Sequence, residues 1–297
     1  MQDAVRRVTG WARDVPEAAS LALAEALDPA APADDRALAA VLARSWSPSP
    51  PARVGLAGGQ GTGKTTLARL VVAALARCGR RAAVLALDDY YLSRAERAAL
   101  ARRVHPLFET RGPPGTHDVA RLHRDLLALA GAVRVEVPVF DKGLDEPRGT
   151  RTLDGPFDVV VLEGWCVGAR PEDEASLAEP CNALEREDDA DGTWRRFANE
   201  RLATDYAALF RTLSEQVDLV APDLAAVRRW RLEQEQALPA AQRKDAAAIA
   251  RFVEHFERIT LAMRRAASAT ADWTIRLAAD HSIAGIERRI PIGSPID

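Results

Sequence analysis

The residues from Gly58 to Thr65 read Gly-Gly-Gln-Gly-Thr-Gly-Lys-Thr and satisfy the spacing G-x-x-x-x-G-K-[ST]. Each part has a chemical reason. Gly58, Gly59, Gly61 and Gly63, with Gln60 and Thr62 between them, let the main chain curl so that successive N–H groups face one anion. A helix starting at the end of the loop adds its positive N-terminal end. Lys64 supplies a mobile point charge for β- and γ-phosphates, and the Thr65 hydroxyl is a hard oxygen suited to Mg²⁺. Only Lys64, Lys142 and Lys244 are lysine among 40 basic residues, which marks them as places where a compact ammonium is wanted.

A second group of residues follows strand-like segments. Asp88-Asp89-Tyr90-Tyr91 comes after the apolar run Ala82 to Leu87. Ligands collect at the carboxyl ends of strands in an open parallel sheet, so a carboxylate there can accept or orient the hydrogen of an attacking hydroxyl. Two adjacent acids also suit a base and a ligand to metal-bound water. Asp158 to Gly164 is an apolar strand ending in Glu163, an acid placed to hold Mg²⁺ or order the attacking group. Arg111, Lys142 and Arg148 lie in predicted loops, where they offer a match to an anionic acceptor. His117 beside Asp118 reads equally as a substrate contact or as a cap-and-core pair. Arg228 and Arg231, in Arg-Arg-Trp-Arg on a charged helix, read either as lid residues that close on the transferring group or as a solvated face paired with Glu233 and Glu235.

The elements that must position these groups alternate between strand and helix. Strands are expected at 53–57, 82–87, 133–137, 157–162, 217–221 and, as the last, 273–278. Helices are expected at 65–77, 93–103, 118–130, 194–214, 223–236 and 246–267. The fold class that results is α/β: a P-loop NTPase-type, mostly parallel sheet with helices on both faces. Residues 1 to 50 read as an Ala-rich N-terminal helical extension, broken near Asp28-Pro29 and Pro32, followed by a turn-rich linker at Ser47 to Pro51. Residues 51 to 297 form the nucleotide-binding domain, with a helical insertion at 171 to 215 carrying an acidic stretch at Glu185 to Asp191.

Composition narrows the function classes. The chain has 297 residues, 47% hydrophobic and 28% charged, with a formal net charge of -3, so a disordered chain is excluded and a nucleic-acid binder relying on a basic surface is disfavoured. Cys78, Cys166 and Cys181 are odd in number and widely spaced, so buried reduced thiols are expected. No apolar run reaches the roughly 20 residues of a membrane span, and the N-terminus lacks a continuous apolar segment. A cytoplasmic location and no membrane partner follow as expectations; oligomeric state is not legible. A GTPase is disfavoured because no Asn-Lys pair is present to read guanine, which leaves a small-molecule kinase in the lead.

Several blocks occur in order: Gly58 to Thr66, Leu-Asp-Asp-Tyr-Tyr-Leu at 87–92, Arg-Gly-Pro-Pro-Gly-Thr-His-Asp at 111–118 and Val-Pro-Val-Phe-Asp-Lys-Gly at 137–143. Arg148, Val-Leu-Glu-Gly-Trp-Cys-Val-Gly at 161–168 and Trp-Arg-Leu-Glu-Gln-Glu at 230–235 follow. Over roughly residues 50 to 290 the chain resembles the ATP-dependent D-glycerate 3-kinase family of the plant and yeast type with its bacterial relatives. That family is similar in fold to uridine kinases, phosphoribulokinases and pantothenate kinases. The resemblance implies transfer from ATP, with Mg²⁺, to a small hydroxy acid, D-glycerate, giving 3-phosphoglycerate. It implies Lys64, Asp88 and Glu163 as the catalytic set, Gly58 to Thr66 on ATP, and Thr65 and Glu163 on the metal. It implies Asp89, Tyr91, Arg111, His117, Asp141, Lys142 and Arg148 on the acceptor side. The stretch after Lys142, Gly-Leu-Asp-Glu-Pro-Arg-Gly, is shorter than the family's polar segment. The alternatives are a kinase of a nucleoside or pantothenate-like alcohol and, further off, a non-catalytic nucleotide-binding module.

Overall fold

The computed structural model describes residues 1–12, 15–46, 52–236 and 243–289. The linker expected at Ser47 to Pro51 lies outside them. Three helices open the chain, α1 (Gln2–Trp11), α2 (Glu17–Glu25) and α3 (Ala33–Ser45). β1 (Ala52–Gly58), α4 (Lys64–Arg77) and β2 (Ala82–Ala86) follow, then a 3₁₀ turn at Leu87–Tyr90, α5 (Arg94–Arg103) and α6 (Val119–Ala128). β3 (Arg134–Asp141), β4 (Glu146–Asp154) and β5 (Val159–Gly164) precede the helical insertion of α7 (Glu174–Ala178), α8 (Ala183–Asp188), α9 (Thr193–Arg201), a π turn at Leu202–Tyr206, and α10 (Ala207–Phe210). The chain then runs through β6 (Glu215–Val220), α11 (Leu224–Gln236), α12 (Ala246–Thr270), β7 (Trp273–Leu277) and β8 (Ile283–Arg288). Among the described residues no helix is long and apolar enough to cross a membrane.

The main sheet has the order β2-β5-β1-β6-β7-β8, parallel except for β8. β5 lies inside it and every one of its residues is buried, as a continuous apolar run in a doubly covered strand requires. Val159 and Val161 face a core shared with Leu67, Val71 and Leu75 of α4, whereas Val160 and Leu162 face one shared with Leu122 and Leu126 of α6. Leu38, Leu42 and Trp46 from the N-terminal segment belong to the same apolar cluster as α4. The N-terminal helices therefore cover one face of the sheet layer.

The structure corrects several expected elements. The N-terminal helix is also interrupted ahead of Pro16, because proline cannot continue a preceding helix. Arg148 is in β4, a strand the sequence hides. β4 pairs with β3 as a separate two-stranded hairpin and is mostly exposed, so it has no apolar alternation. Polar cross-strand bonds support it, with Thr150 and Thr152 hydroxyls donating to the Glu136 carboxylate at 2.9 and 2.5 Å. Trp273–Leu277 is followed by a further edge strand, β8. The helix expected through Ser214 ends at Phe210 after the π turn. Of the thiols only Cys166 is buried; Cys78 follows α4 at its exposed end and Cys181 is exposed. In the acidic insertion, Glu185 and Asp189 are buried on Arg258 and Arg195, so part of that stretch is internal ion pairing.

Candidate active site

The carboxyl ends of β1, β2 and β5 converge with the tip of the β3–β4 hairpin. Gly58 closes β1 and the loop turns into α4 at Lys64. Gly61 and Gly63 both hold φ near +82°, a region glycine enters at no steric cost. Gly61 also sits so close to α11 that a Cβ would lie 2.4 Å from Trp230 Cβ. Inside the loop the Thr62 hydroxyl donates to the Gly59 carbonyl at 2.9 Å. Among the described residues Lys64 has no ion-pair partner, so its ammonium remains available at the loop.

Thr65, in the first turn of α4, donates its hydroxyl to Glu163 Oε1 at 2.9 Å. Glu163 is 5% exposed. Burial pushes its carboxyl up and nearby Asp88 adds to this, against the pull of Lys64 and the Thr65 bond. Among the described residues no three His, Cys, Asp or Glu side chains converge as a metal cage. A hydroxyl and one carboxylate at a phosphate loop instead fit a Mg²⁺ ion that takes its remaining ligands from phosphates and water.

Asp88 and Asp89 sit on the 3₁₀ turn after β2. Lys142 Nζ lies 2.6 Å from Asp88 Oδ2, and the Tyr91 hydroxyl donates to Oδ1 at 2.7 Å. Burial alone would raise the Asp88 carboxyl, but Lys142 and Lys64, with both bonds, hold it well below the usual carboxylate range. Asp89 turns toward β3 and accepts the Phe140 N–H at 3.3 Å, with Arg151 at 4.0 Å; burial raises its carboxyl.

Tyr91 stacks on His117 with ring centroids 4.6 Å apart and meets the edge of Phe140 at 5.1 Å. His117 is buried, its Nδ1 is 2.5 Å from the Tyr206 hydroxyl, and burial lowers it to about 4, so it is neutral at pH 7. Among the described residues its Nε2 has no hydrogen-bond partner. Arg111 bonds Asp145 at 2.5 Å and its guanidinium lies over Phe140 at 5.8 Å. The indole of Trp165, just past β5, donates to the Gly112 carbonyl at 3.1 Å and ties the Arg111 loop to the sheet.

The structure does not bring every expected residue to the same point. Asp141 shapes the hairpin turn, accepting the Gly143 and Leu144 N–H groups and pairing with Arg148 at 3.1 Å; Arg148 is itself 73% exposed. Arg228 and Arg231 lie on α11, but Arg228 is bonded to Glu257 and Arg231 to Glu235 at 2.7 Å. Three residues the sequence reading passed over stand close by. Arg97 and Asp145 form an ion pair at 2.5 Å beside Arg111. Asp218 lines a narrow cavity of about 40 Å³ at Gly58 and Gly59, together with Trp165, Val227 and Met263. Arg97 is one arginine among many in an Ala-rich helix, and Asp218 is one acid in a strand, so neither carried a motif signal.

No family model matches the chain. It is 33% identical over 217 residues to the uncharacterized kinase mug58 of Schizosaccharomyces pombe, covering 68% of this chain and 77% of that one. It is 30% identical over 205 residues to the chloroplastic D-glycerate 3-kinase of Arabidopsis thaliana, covering 64% of this chain and 42% of that longer protein. In structure it is similar to a D-glycerate 3-kinase from Cryptococcus neoformans, with a TM-score of 0.68, 25% identity and coverage of 82% and 93%. The YGR205w protein, at 22% identity and TM-score 0.66 over 82% and 91%, has the same fold. Fold and site thus define an ATP-dependent P-loop phosphotransferase. Within that class the chain belongs to the kinases of the D-glycerate 3-kinase and uridine kinase type.

Proposed function

We propose that the protein transfers the γ-phosphoryl group of ATP to the 3-hydroxyl of D-glycerate, giving ADP and 3-phosphoglycerate. The observation that carries this reading is the pairing of Asp88 with Lys142 and Tyr91 next to a guanidinium, that of Arg111, which donates to the Lys142 carbonyl at 3.4 Å and holds a carboxylate. An acceptor with a hydroxyl and a carboxylate on adjoining carbons matches both. The names of two relatives, the plant and Cryptococcus D-glycerate 3-kinases, support the same acceptor.

In this mechanism Gly58 to Thr66 and Lys64 hold the β- and γ-phosphates. Thr65 and Glu163 would hold Mg²⁺, which when bound would neutralise phosphate charge. Asp88 faces the acceptor hydroxyl. The oxygen–phosphorus bond to the acceptor forms as the bond to the β–γ bridging oxygen breaks, and the hydroxyl proton passes to Asp88. A carboxylate held so low is a weak base, so its main contribution is to orient the hydroxyl, with proton transfer late in a loose transition state. Arg111 and Lys142 grip the acid, and Tyr91, packed on His117, holds Asp88 in place. Arg228 and Arg231 would act as lid residues only after leaving Glu257 and Glu235.

The test is ADP release by purified protein with ATP and a panel of D-glycerate, L-glycerate, uridine and pantothenate. Release that depends on D-glycerate, with 3-phosphoglycerate as product, supports the reading. Turnover of uridine or pantothenate alone leaves a kinase with a different acceptor, an alternative favoured by 34% identity over 116 residues to the uridine kinase of Halobacterium salinarum.

A further inference from the structure

Asp145, at the tip of the β3–β4 hairpin, has φ +59°, the left-handed region that few non-glycine residues occupy. In this position its carboxylate meets a cluster of guanidinium groups. Arg97 Nη2 donates to Oδ2 at 2.5 Å, Arg111 Nη1 donates to Oδ1 at 2.5 Å, and Arg94 Nε is 3.5 Å from Oδ2. Arg97 is 1% exposed, and its Nε and Nη1 are already fixed on the carbonyls of Glu109 and Leu92. It is a buried, rigidly held cation whose remaining end serves one anion. With Arg111 it makes a two-guanidinium carboxylate receptor, and the chain fills that receptor with its own carboxylate.

The receptor adjoins the reacting end of the site. Lys142, on the same hairpin tip, is on Asp88, and Phe140 touches both Arg111 and Tyr91, which bonds Asp88. The tip therefore places an anion on the arginines and a cation on the aspartate. A short hydroxy acid needs the same two places, one for its carboxylate and one for its hydroxyl.

We propose that Arg97 and Arg111 are the carboxylate subsite of the acceptor, and that Asp145 is an internal stand-in which the acid displaces. The inference rests on the hydroxy-acid reading above. Displacement releases the hairpin tip, so Lys142 can leave Asp88 for the incoming acid. Occupancy by Asp145 lowers the apparent affinity for the acid by the fraction of receptors it fills. It also excludes neutral alcohols, which bring no charge to replace Asp145.

The experiment uses the full chain and two substitutions. Asp145→Asn keeps a residue that tolerates the left-handed backbone, and Asp145→Gly removes the backbone strain as well. KM values for D-glycerate and ATP are measured, together with hydrogen exchange of the amides at 142–146. In both variants the KM for D-glycerate is expected to fall at least about threefold, while that for ATP stays within about twofold. In the wild type, saturating D-glycerate is expected to speed exchange at 142–146. An unchanged or higher KM for D-glycerate in the variants, with wild type turning the acid over, overturns the stand-in and leaves the hydroxy-acid reading standing. Should neither variant fold, unchanged or slowed exchange in the wild type overturns it. Turnover of a neutral alcohol, with no hydroxy acid used by wild type or variants, removes the reading and the stand-in together.

Discussion

Asp88 and Asp89 are chain neighbours whose carboxyls are driven in opposite directions. Burial acts on both, but Lys142, Lys64 and Tyr91 outweigh it at Asp88, whereas Asp89 has one backbone bond and a distant guanidinium. Environment therefore separates their roles, as it does wherever two adjacent carboxylates serve one reaction. Asp218, beside the phosphate loop, is a third case. Burial pushes it from 3.8 up to about 6, eased by a 2.6 Å bond from Gln216 Nε2. Between those values the folded protein holds a proton that the unfolded chain has released, so this group makes stability fall as pH rises from about 4 to about 6, with no further change above. Asp218→Asn keeps the Gln216 bond and removes the decline. Denaturant melts of both proteins at pH 4.5 and 7.5 should show the variant gaining on wild type at the higher pH, by on the order of 2 kcal/mol. A difference independent of pH contradicts this. The motif residues Lys64, Thr65, Asp88 and Glu163 were legible because fixed chemistry imposes fixed spacing. Arg97 and Asp145 were not, because each acts through a partner far away in the chain, and Asp218 was not, because the pairing of β6 with β1 is what places it at the phosphate loop.

At the scale of elements, the phosphate loop depends on α11 as well as on its own glycines. Gly61 combines a positive φ with contact against Trp230, whose indole donates to the Ala279 carbonyl at 3.1 Å. Gly61→Ala must strain the loop or push α11 away. ATP affinity by calorimetry should fall at least about tenfold while the far-ultraviolet spectrum stays that of wild type; wild-type affinity would show that the loop is not held in this way. The strands and helices around the loop were readable, since buried parallel strands are continuous apolar runs and helix starts carry caps such as Ser93 and Asp118. β4 was not readable, because an exposed strand held by Thr–Glu pairs has no apolar period. The hairpin it forms is where Lys142 and Asp145 stand, and the missed strand is what pairs Arg148 with Asp141 instead of bringing it to Asp88.

For the molecule as a whole, the N-terminal helices are part of the kinase core. Leu42 of α3 is 0% exposed in the cluster that includes Leu67 and Val71 of α4, and Asp34 Oδ2 accepts the Ile283 N–H of β8 at 3.0 Å. Alanine composition announced helices here but could not say what they cover, because that depends on the apolar face of α4 formed later in the chain. Leu42→Ala should cost about 2–5 kcal/mol and lower the melting temperature by about 5–15 °C, without changing the KM for ATP. An unchanged melting temperature would mean that the segment is merely attached. In the proposed transfer a triphosphate in the Gly58–Thr65 loop directs its terminal phosphoryl group at an acceptor held by Asp88. Rapid-quench transfer from γ-labelled ATP, with saturating D-glycerate, compares wild type with Asp88→Asn. Wild type should move label to the acid in a single turnover, and Asp88→Asn should bind ATP equally well but transfer about 10²–10⁴-fold more slowly. Transfer by Asp88→Asn at the wild-type rate would show that Asp88 does not hold the acceptor.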